Sequence, residues 1–194
     1  MNTSTSMNTQ NIYERLSGHE VYSALRRVAS RHDHEVRHMF VYGSLRPDDT
    51  SGQDWTEDFV RGFSIVARGR VRNAKMYLDG YASVTLGDYG KFDTVEGFVL
   101  GLPGVANTRA WNDKVQWADD IECFNARTGD SLLGYERVIV NATVFTPEQG
   151  LHEVKAFIYH RPNCARDTRI MSGDWLQRTQ RDELWARHSL QDPI

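Results

Sequence analysis

Short stretches that alternate apolar and polar residues run through the middle of the chain and predict β-strands. The clearest alternation lies within 135–145, where every second residue from 138 to 144 is a small aliphatic one. The pair Asp79-Gly80 stands between two such stretches and is typical of a hairpin turn. The predicted strands are 39–42, 63–71, 76–77, 81–86, 94–100, 135–145 and 153–159.

Three other stretches have the spacing of helices. The first covers 12–30, the second 107–126, and the third, rich in tryptophan and polar residues, 174–187. Residues 48–58 are acidic and polar, which predicts a surface loop, with a short helical turn as the alternative.

These elements predict one domain with additions at its N-terminus. Residues 1–10 are polar and are expected to form a disordered tail, 11–37 a helical extension, and 38–194 a single domain. About six strands without regular helices between them argue against a doubly wound parallel sheet. The predicted fold is α+β: a small mixed or antiparallel β-barrel of about six strands with packed helices.

Composition and charge narrow the class of partner. The chain has 194 residues, 40% of them hydrophobic, and a net charge of -3, which does not favour nucleic acid as a partner. No apolar run approaches the roughly 18 residues of a membrane span, and the N-terminus lacks the pattern of a secretory signal. We therefore expect a cytoplasmic protein in which Cys123 and Cys164 are free thiols.

Metal binding is not expected from the histidines. His32 and His34 do not share a helix face, His38 stands apart, and no acidic cluster completes a ligand set. The arginines near these histidines are interpreted as a solvated surface.

The first candidate for chemistry is the turn that follows the strand at 39–42. A strand that ends in a glycine-containing turn leaves backbone N–H groups that can gather into an anion site. Tyr42-Gly43-Ser44-Leu45 fits this description, and an ordinary β-turn is the alternative.

The second candidate is Glu122. On a helix over 107–126, it falls on one narrow stripe with Trp111 and Ala118, while Asp120 faces the opposite way. A carboxyl group on an apolar face is costly unless it is paired, protonated or exposed to a cavity, and burial raises its pKa towards neutrality. The alternative is a different helix phase, with Glu122 at the surface.

Five short motifs, in order and with plausible gaps, resemble the gamma-glutamylcyclotransferase-like family, including its branch that acts on gamma-glutamylamines. They are FVYGSLR at 40–46, NAKMY at 73–77 with GYASV at 80–84, VEGFV at 95–99, ADDIE at 118–122 and YER at 135–137. The sequence departs from the family pattern at Ala118, at Cys123 and at Ala82-Ser83, where that pattern has leucine, a small residue and a proline-containing pair.

The resemblance implies a barrel with a cavity for a small gamma-glutamyl substrate, and neither metal nor cofactor. The implied substrate-binding residues are Tyr42, Gly43, Ser44, Leu45 and Tyr135. Glu122 is the implied general acid and base. The substrate's own α-amine would attack its γ-carbonyl and release 5-oxoproline and a free amine, and orientation would supply much of the rate.

Two other functions remain open at this point. The same fold would also suit a small-molecule binding protein that turns nothing over, or an interaction protein that docks a partner through its N-terminal helix. The retained Glu122 favours the enzyme, because a pure binder has no need of a desolvated carboxyl group. The sequence does not indicate the leaving amine or the oligomeric state.

Overall fold

Five strands close into a barrel in the computed structural model, which describes residues 36–49, 53–87, 90, 92–102, 108–166 and 168–178. In chain order the elements are β1 (His38–Val41), α1 (Asp54–Val60), β2 (Ile65–Arg72), β3 (Ala74–Asp79), β4 (Tyr81–Leu86), β5 (Thr94–Gly101), α2 (Arg109–Ile121), β6 (Phe124–Asn125), β7 (Asp130–Ser131), β8 (Glu136–Thr146), β9 (Gly150–His160), β10 (Arg169–Ile170) and a 3₁₀ helix (Trp175–Gln177).

The barrel order is β1-β5-β2-β8-β9, and it closes where β1 pairs in parallel with β9. All other barrel pairings are antiparallel, so the predicted α+β barrel is confirmed, with five strands in place of about six. A separate antiparallel sheet has the order β10-β3-β4, and the predicted Asp79-Gly80 turn joins β3 to β4.

Alternation along β1 separates two hydrophobic cores. Phe40 and Tyr42 belong to an inner core that includes residues from all five barrel strands and from β3 and β4. Met39 and Val41 belong to an outer core with residues of both helices. Successive side chains of a strand point to opposite faces, so β1 contributes to both cores.

The helix α1 confirms the alternative of a short helical segment within 48–58, in place of a surface loop throughout. Its side chains Thr56 and Phe59 are buried, while Glu57 and Asp58 face solvent. The short apolar stripe was not recognised in the sequence because acidic residues surround it. Burial of Phe59 in the outer core stabilises the helix.

The helix α2 is shorter than the predicted 107–126. Thr108 caps its start, with the Thr108 hydroxyl accepting from the backbone N–H of Trp111 at 3.2 Å. Its end comes after Ile121, since Cys123 has a positive φ of 50° that reverses the chain into β6.

Several predictions fall on parts of the chain that the structure does not describe. These are the tail at 1–10, nearly all of the extension at 11–37, and the predicted helix at 174–187 beyond residue 178. The domain boundaries drawn there stay predictions. Neither α1 nor α2, nor any other helix in the described ranges, combines the length and the apolar character needed to cross a membrane.

The contact between β1 and β5 has a strict steric requirement at Gly97. A Cβ atom there would lie 2.3 Å from the carbonyl oxygen of Val41 and 2.9 Å from the ring of Phe40. We expect Gly97→Ala to lower the free energy of unfolding by about 3 kcal/mol, at the upper end of what overpacking costs. Gly90→Ala is the control, because its nearest neighbour would be 3.8 Å away. Equal denaturation midpoints for the two variants would contradict the expectation.

Candidate active site

A cavity of about 520 Å³ lies at the end of β1, a volume within the range of small-molecule sites. All six residues that the sequence predicts for a site line it: Tyr42, Gly43, Ser44, Leu45, Glu122 and Tyr135. The enzyme hypothesis predicts one pocket that contains both the turn and Glu122, and in the structure both line the same cavity. Trp175 also lines the cavity and belongs to the inner core.

The turn after β1 is held by contacts on both of its sides. The backbone N–H of Arg46 donates to the carbonyl of Gly43 at 3.0 Å, and the Thr56 hydroxyl of α1 donates to the carbonyl of Ser44 at 2.5 Å. A Cβ atom at Gly43 would lie 2.8 Å from the Cβ of Ala82, so only glycine fits against this cavity-lining residue.

Arg46 connects the turn to the C-terminal wall of the cavity. Its buried guanidinium makes two bonds to Asp48, at 2.8 and 2.9 Å, and one to Asp174 at 2.5 Å. Asp174 also caps the 3₁₀ helix by accepting from the N–H of Leu176 at 3.1 Å. The charge-assisted pair therefore fixes the position of Trp175 relative to the turn.

Glu122 occupies the C-terminal cap of α2 instead of a position within the helix. Its backbone N–H still donates to the carbonyl of Ala118 at 3.0 Å, and its own carbonyl accepts from the Ser131 hydroxyl at 3.0 Å. The backbone is therefore held on both sides of the residue. The predicted stripe holds as far as Ala118, which is buried, and Asp120 is exposed as expected.

The carboxyl group of Glu122 lines the cavity and keeps partial access to solvent through it. Burial raises its pKa from 4.5 to about 7. A group with this pKa populates both protonation states near neutral pH, which is what an acid and base in a single reaction cycle must do.

Two cavity-lining phenols face Glu122 with their protons already committed to carbonyl groups. The Tyr42 hydroxyl donates to the carbonyl of Tyr159 at 2.5 Å, and the Tyr135 hydroxyl donates to the carbonyl of Ala82 at 2.8 Å. Burial raises the pKa of both phenols, and the charge of Glu122 raises both further. Both stay protonated, so a ligand meets their oxygens as hydrogen-bond acceptors.

Asp119, which the sequence had not singled out, anchors the end of α2 to the barrel. The Nη1 of Arg137 donates to its two carboxylate oxygens at 2.8 and 2.6 Å, and the Tyr159 hydroxyl donates to Oδ1 at 2.6 Å. Asp119 is 2% exposed and Arg137 9%. Since the carbonyl of Tyr159 accepts from Tyr42, one network joins α2, β8, β9 and the turn.

Three other residues that line the cavity were not predicted from the sequence. Gln53 and Trp55 belong to the segment interpreted as a loop, and Arg178 follows the 3₁₀ helix. The only sequence hint of the Asp119 network was the presence of Asp119 and Arg137 in two of the quoted motifs. Within the described residues, no group of three or more His, Cys, Asp and Glu side chains is placed to hold a metal ion.

Removal of Asp119 tests the anchoring network. Asp119→Ala removes the carboxylate that pairs with the buried Arg137 at 2.6 Å, so we expect the free energy of unfolding to fall by about 3–5 kcal/mol. Asp113→Ala on the same helix breaks only an exposed 3.9 Å pair with Arg109 and should change it by about 0.5 kcal/mol or less. Similar urea midpoints for both variants would show that the network does not stabilise the fold.

The raised pKa of Glu122 predicts a pH-dependent stability difference. A folded-state pKa of about 7 against 4.5 means that the linked stability is fully present below pH 4.5 and is lost by about pH 7. Glu122→Gln should therefore gain about 1–2 kcal/mol relative to wild type between pH 4.5 and 8, a value discounted for partial solvent access. Denaturation series at several pH values measure this difference. A pH-independent difference for Glu122→Gln would argue against the raised pKa.

Comparison with known proteins identifies one family and several distant structures. The family model described as "Gamma-glutamyl cyclotransferase, AIG2-like" matches residues 39–177. The curated proteins contain no match at a significant level.

Solved structures with a similar chain path are distant in sequence. An AIG2-like protein from Mus musculus is 19% identical, with 75% of this chain and 86% of that chain covered and a TM-score of 0.48. An uncharacterized protein from Pyrococcus horikoshii is 19% identical, with 81% and 99% covered and a TM-score of 0.44. Structures this distant in sequence do not indicate which substrate this protein uses. The family match spans well over half of the chain, and the chain belongs to the AIG2-like gamma-glutamyl cyclotransferase family.

Proposed function

We propose that this protein is a γ-glutamyl cyclotransferase that converts a γ-glutamyl amide into 5-oxoproline and a free amine. One observation carries the proposal: a carboxyl group with a pKa of about 7, Glu122, shares a cavity with the turn at 42–45. A cyclisation of this kind requires a pocket that orients one substrate and a single group that both accepts and returns a proton.

The turn supplies the binding site for the glutamyl end. Backbone N–H groups at Gly43, Ser44 and Leu45 are assigned to the α-carboxylate, which suits a concave group of backbone donors. The absence of a side chain at Gly43 lets the ligand approach the backbone closely.

The α-amine is assigned to three acceptors that line the cavity, which are Tyr42, Tyr135 and Glu122. The oxygens of Tyr42 and Tyr135 accept N–H bonds, because their own protons are bound to carbonyl groups. Glu122 in its ionised form takes one proton from the amine. This leaves a nitrogen lone pair directed at the γ-carbonyl carbon.

The reaction then needs no group from outside the substrate and Glu122. The α-nitrogen forms a bond to the γ-carbon, which closes the five-membered ring, and the bond from that carbon to the leaving nitrogen breaks. The proton held by Glu122 passes to the leaving nitrogen, so that bond breaks and the carboxylate is restored. The carboxylate then accepts the second proton that the ring nitrogen loses and passes it to the free amine, which departs as an ammonium ion. Nothing is oxidised or reduced.

Glu122→Gln tests the proposal, because glutamine keeps the size and polarity of the side chain but cannot accept a proton. We expect release of 5-oxoproline from a panel of γ-glutamyl amino acids and γ-glutamylamines to fall by about 10²–10⁴-fold. Asp120→Asn, at the exposed neighbouring carboxylate, should keep wild-type rates. No release from any substrate by folded wild-type protein would refute the enzyme and favour a protein that binds a γ-glutamyl compound without turnover.

The pH dependence of the reaction should report Glu122 as a base. Since only its ionised form accepts the proton, kcat/KM should rise with pH to a plateau above about 7 and fall about tenfold per pH unit below it. Initial rates of 5-oxoproline release across pH 5 to 9 provide the profile. A flat profile would exclude a group with this pKa from the rate-limiting step.

A further inference from the structure

Arg161, the residue that follows β9, contacts both ends of the β3–β4 turn, whose residues 80–82 line the cavity. At the start of this turn, Nη1 of Arg161 donates to the carbonyl of Asp79 at 3.1 Å and lies 3.1 Å from its carboxylate oxygen Oδ2. At the end of the turn, the same nitrogen donates to the Ser83 hydroxyl at 3.2 Å. One guanidinium therefore bridges the two ends of a wall of the cavity.

The same guanidinium packs against Tyr135, which the proposed reaction uses as an acceptor. Its Cζ lies 5.6 Å from the ring centre of Tyr135, and the Tyr135 hydroxyl donates to the carbonyl of Ala82 in the β3–β4 turn at 2.8 Å. Burial and the charge of Glu122 raise the pKa of Tyr135, whereas a hydrogen bond with Ser83 and the charge of Arg161 oppose that rise. Arg161 therefore acts on both partners of the bond between Tyr135 and Ala82.

Contacts on its backbone and on its ion-pair partner hold Arg161 in place. The backbone N–H of Arg161 donates to the carbonyl of Val84 on β4 at 2.8 Å. The carboxylate of Asp79 also accepts from the backbone N–H of Ala165 at 2.9 Å, so the ion pair is tied to the segment that follows β9. The two side chains of the pair are 21% and 24% exposed, and bonds to charged groups in such partly buried positions are stronger than neutral ones.

We propose that Arg161 is a positioning residue for the cyclisation, which holds the Tyr135 hydroxyl against the carbonyl of Ala82 and thereby leaves the phenol oxygen as an acceptor for the α-amine. This inference rests on the proposed function and adds to it a residue that acts through Tyr135. Loss of the guanidinium removes a contact from the ring and three contacts from the β3–β4 turn. Both sides of the bond between Tyr135 and Ala82 then gain freedom at once.

The direction of the Tyr135 proton matters to the reaction because a hydroxyl group can donate as well as accept. While the proton is bound to Ala82, the oxygen accepts an N–H bond and the nitrogen lone pair stays free to attack. A hydroxyl released from Ala82 could donate to that lone pair and turn it away from the γ-carbonyl carbon. Small displacements of a reacting group from its attack geometry cost large factors in rate.

A double-mutant cycle tests the inference, with the substrate of the panel from which wild-type protein releases 5-oxoproline fastest. We expect Arg161→Gln and Tyr135→Phe each to lower kcat/KM by about 10-fold. The double variant should also lose about 10-fold, where independent effects would multiply to about 100-fold. Arg161→Lys keeps the charge without the planar fork and should recover part of the loss. Arg166→Gln is the matched control and should keep wild-type rates, because Arg166 is exposed and donates only to the carbonyl of Pro162.

Ser83→Ala provides a second cycle, because it removes one contact of Arg161 and leaves the ion pair with Asp79 in place. It should lower kcat/KM by about threefold in wild-type protein and have no effect in Tyr135→Phe. If Arg161→Gln does not fold, as judged by circular dichroism, this cycle decides by the same criterion.

The outcomes separate this inference from the proposed function. Losses that multiply in the double variants would assign Arg161 to the stability of the fold alone and would overturn the inference. Wild-type rates in folded Arg161→Gln would also overturn it, with the proposed function intact. Release of no 5-oxoproline by wild-type protein would refute the proposed function, and the inference with it.

Discussion

The buried ion pair between Asp119 and Arg137 is the interaction on which the geometry of the cavity depends. It crosses from the last turn of α2 to β8, and through Tyr159 it reaches the phenol of Tyr42 at the start of the turn. Two charges removed from water must be well paired, so the pair tolerates little displacement. Glu122 lies three residues beyond Asp119, and its position relative to the turn follows from this anchor.

Around that anchor the cavity separates its polar groups by role. The phenols of Tyr42 and Tyr135 have committed their protons to backbone carbonyls, which makes them acceptors towards a ligand. Among the described residues, burial is the cause that raises the pKa of Glu122 to about 7. The acceptors and the group that can exchange a proton are therefore separate side chains.

The fold was largely predictable because period-two alternation is a local property. Strands β1, β5, β8 and β9 lie within a few residues of their predicted bounds, since one face of each packs in a core. The failures were also local in origin. Acidic neighbours masked the short apolar stripe of α1, and a positive φ at Cys123 ended α2 five residues before its predicted end at 126.

The sequence by itself determined the family, the barrel class and the candidates at 42–45 and at Glu122, because each depends on residue types at short spacing. Only the tertiary structure decided that these candidates share a cavity and that Arg46 pairs with Asp174, 128 residues away. It also decided which carboxylate is paired: Asp119 meets Arg137, while its neighbours Asp120 and Glu122 face solvent and the cavity. Contacts between distant segments depend on how the strands close the barrel, and the composition of one chain does not encode such pairings in any local pattern.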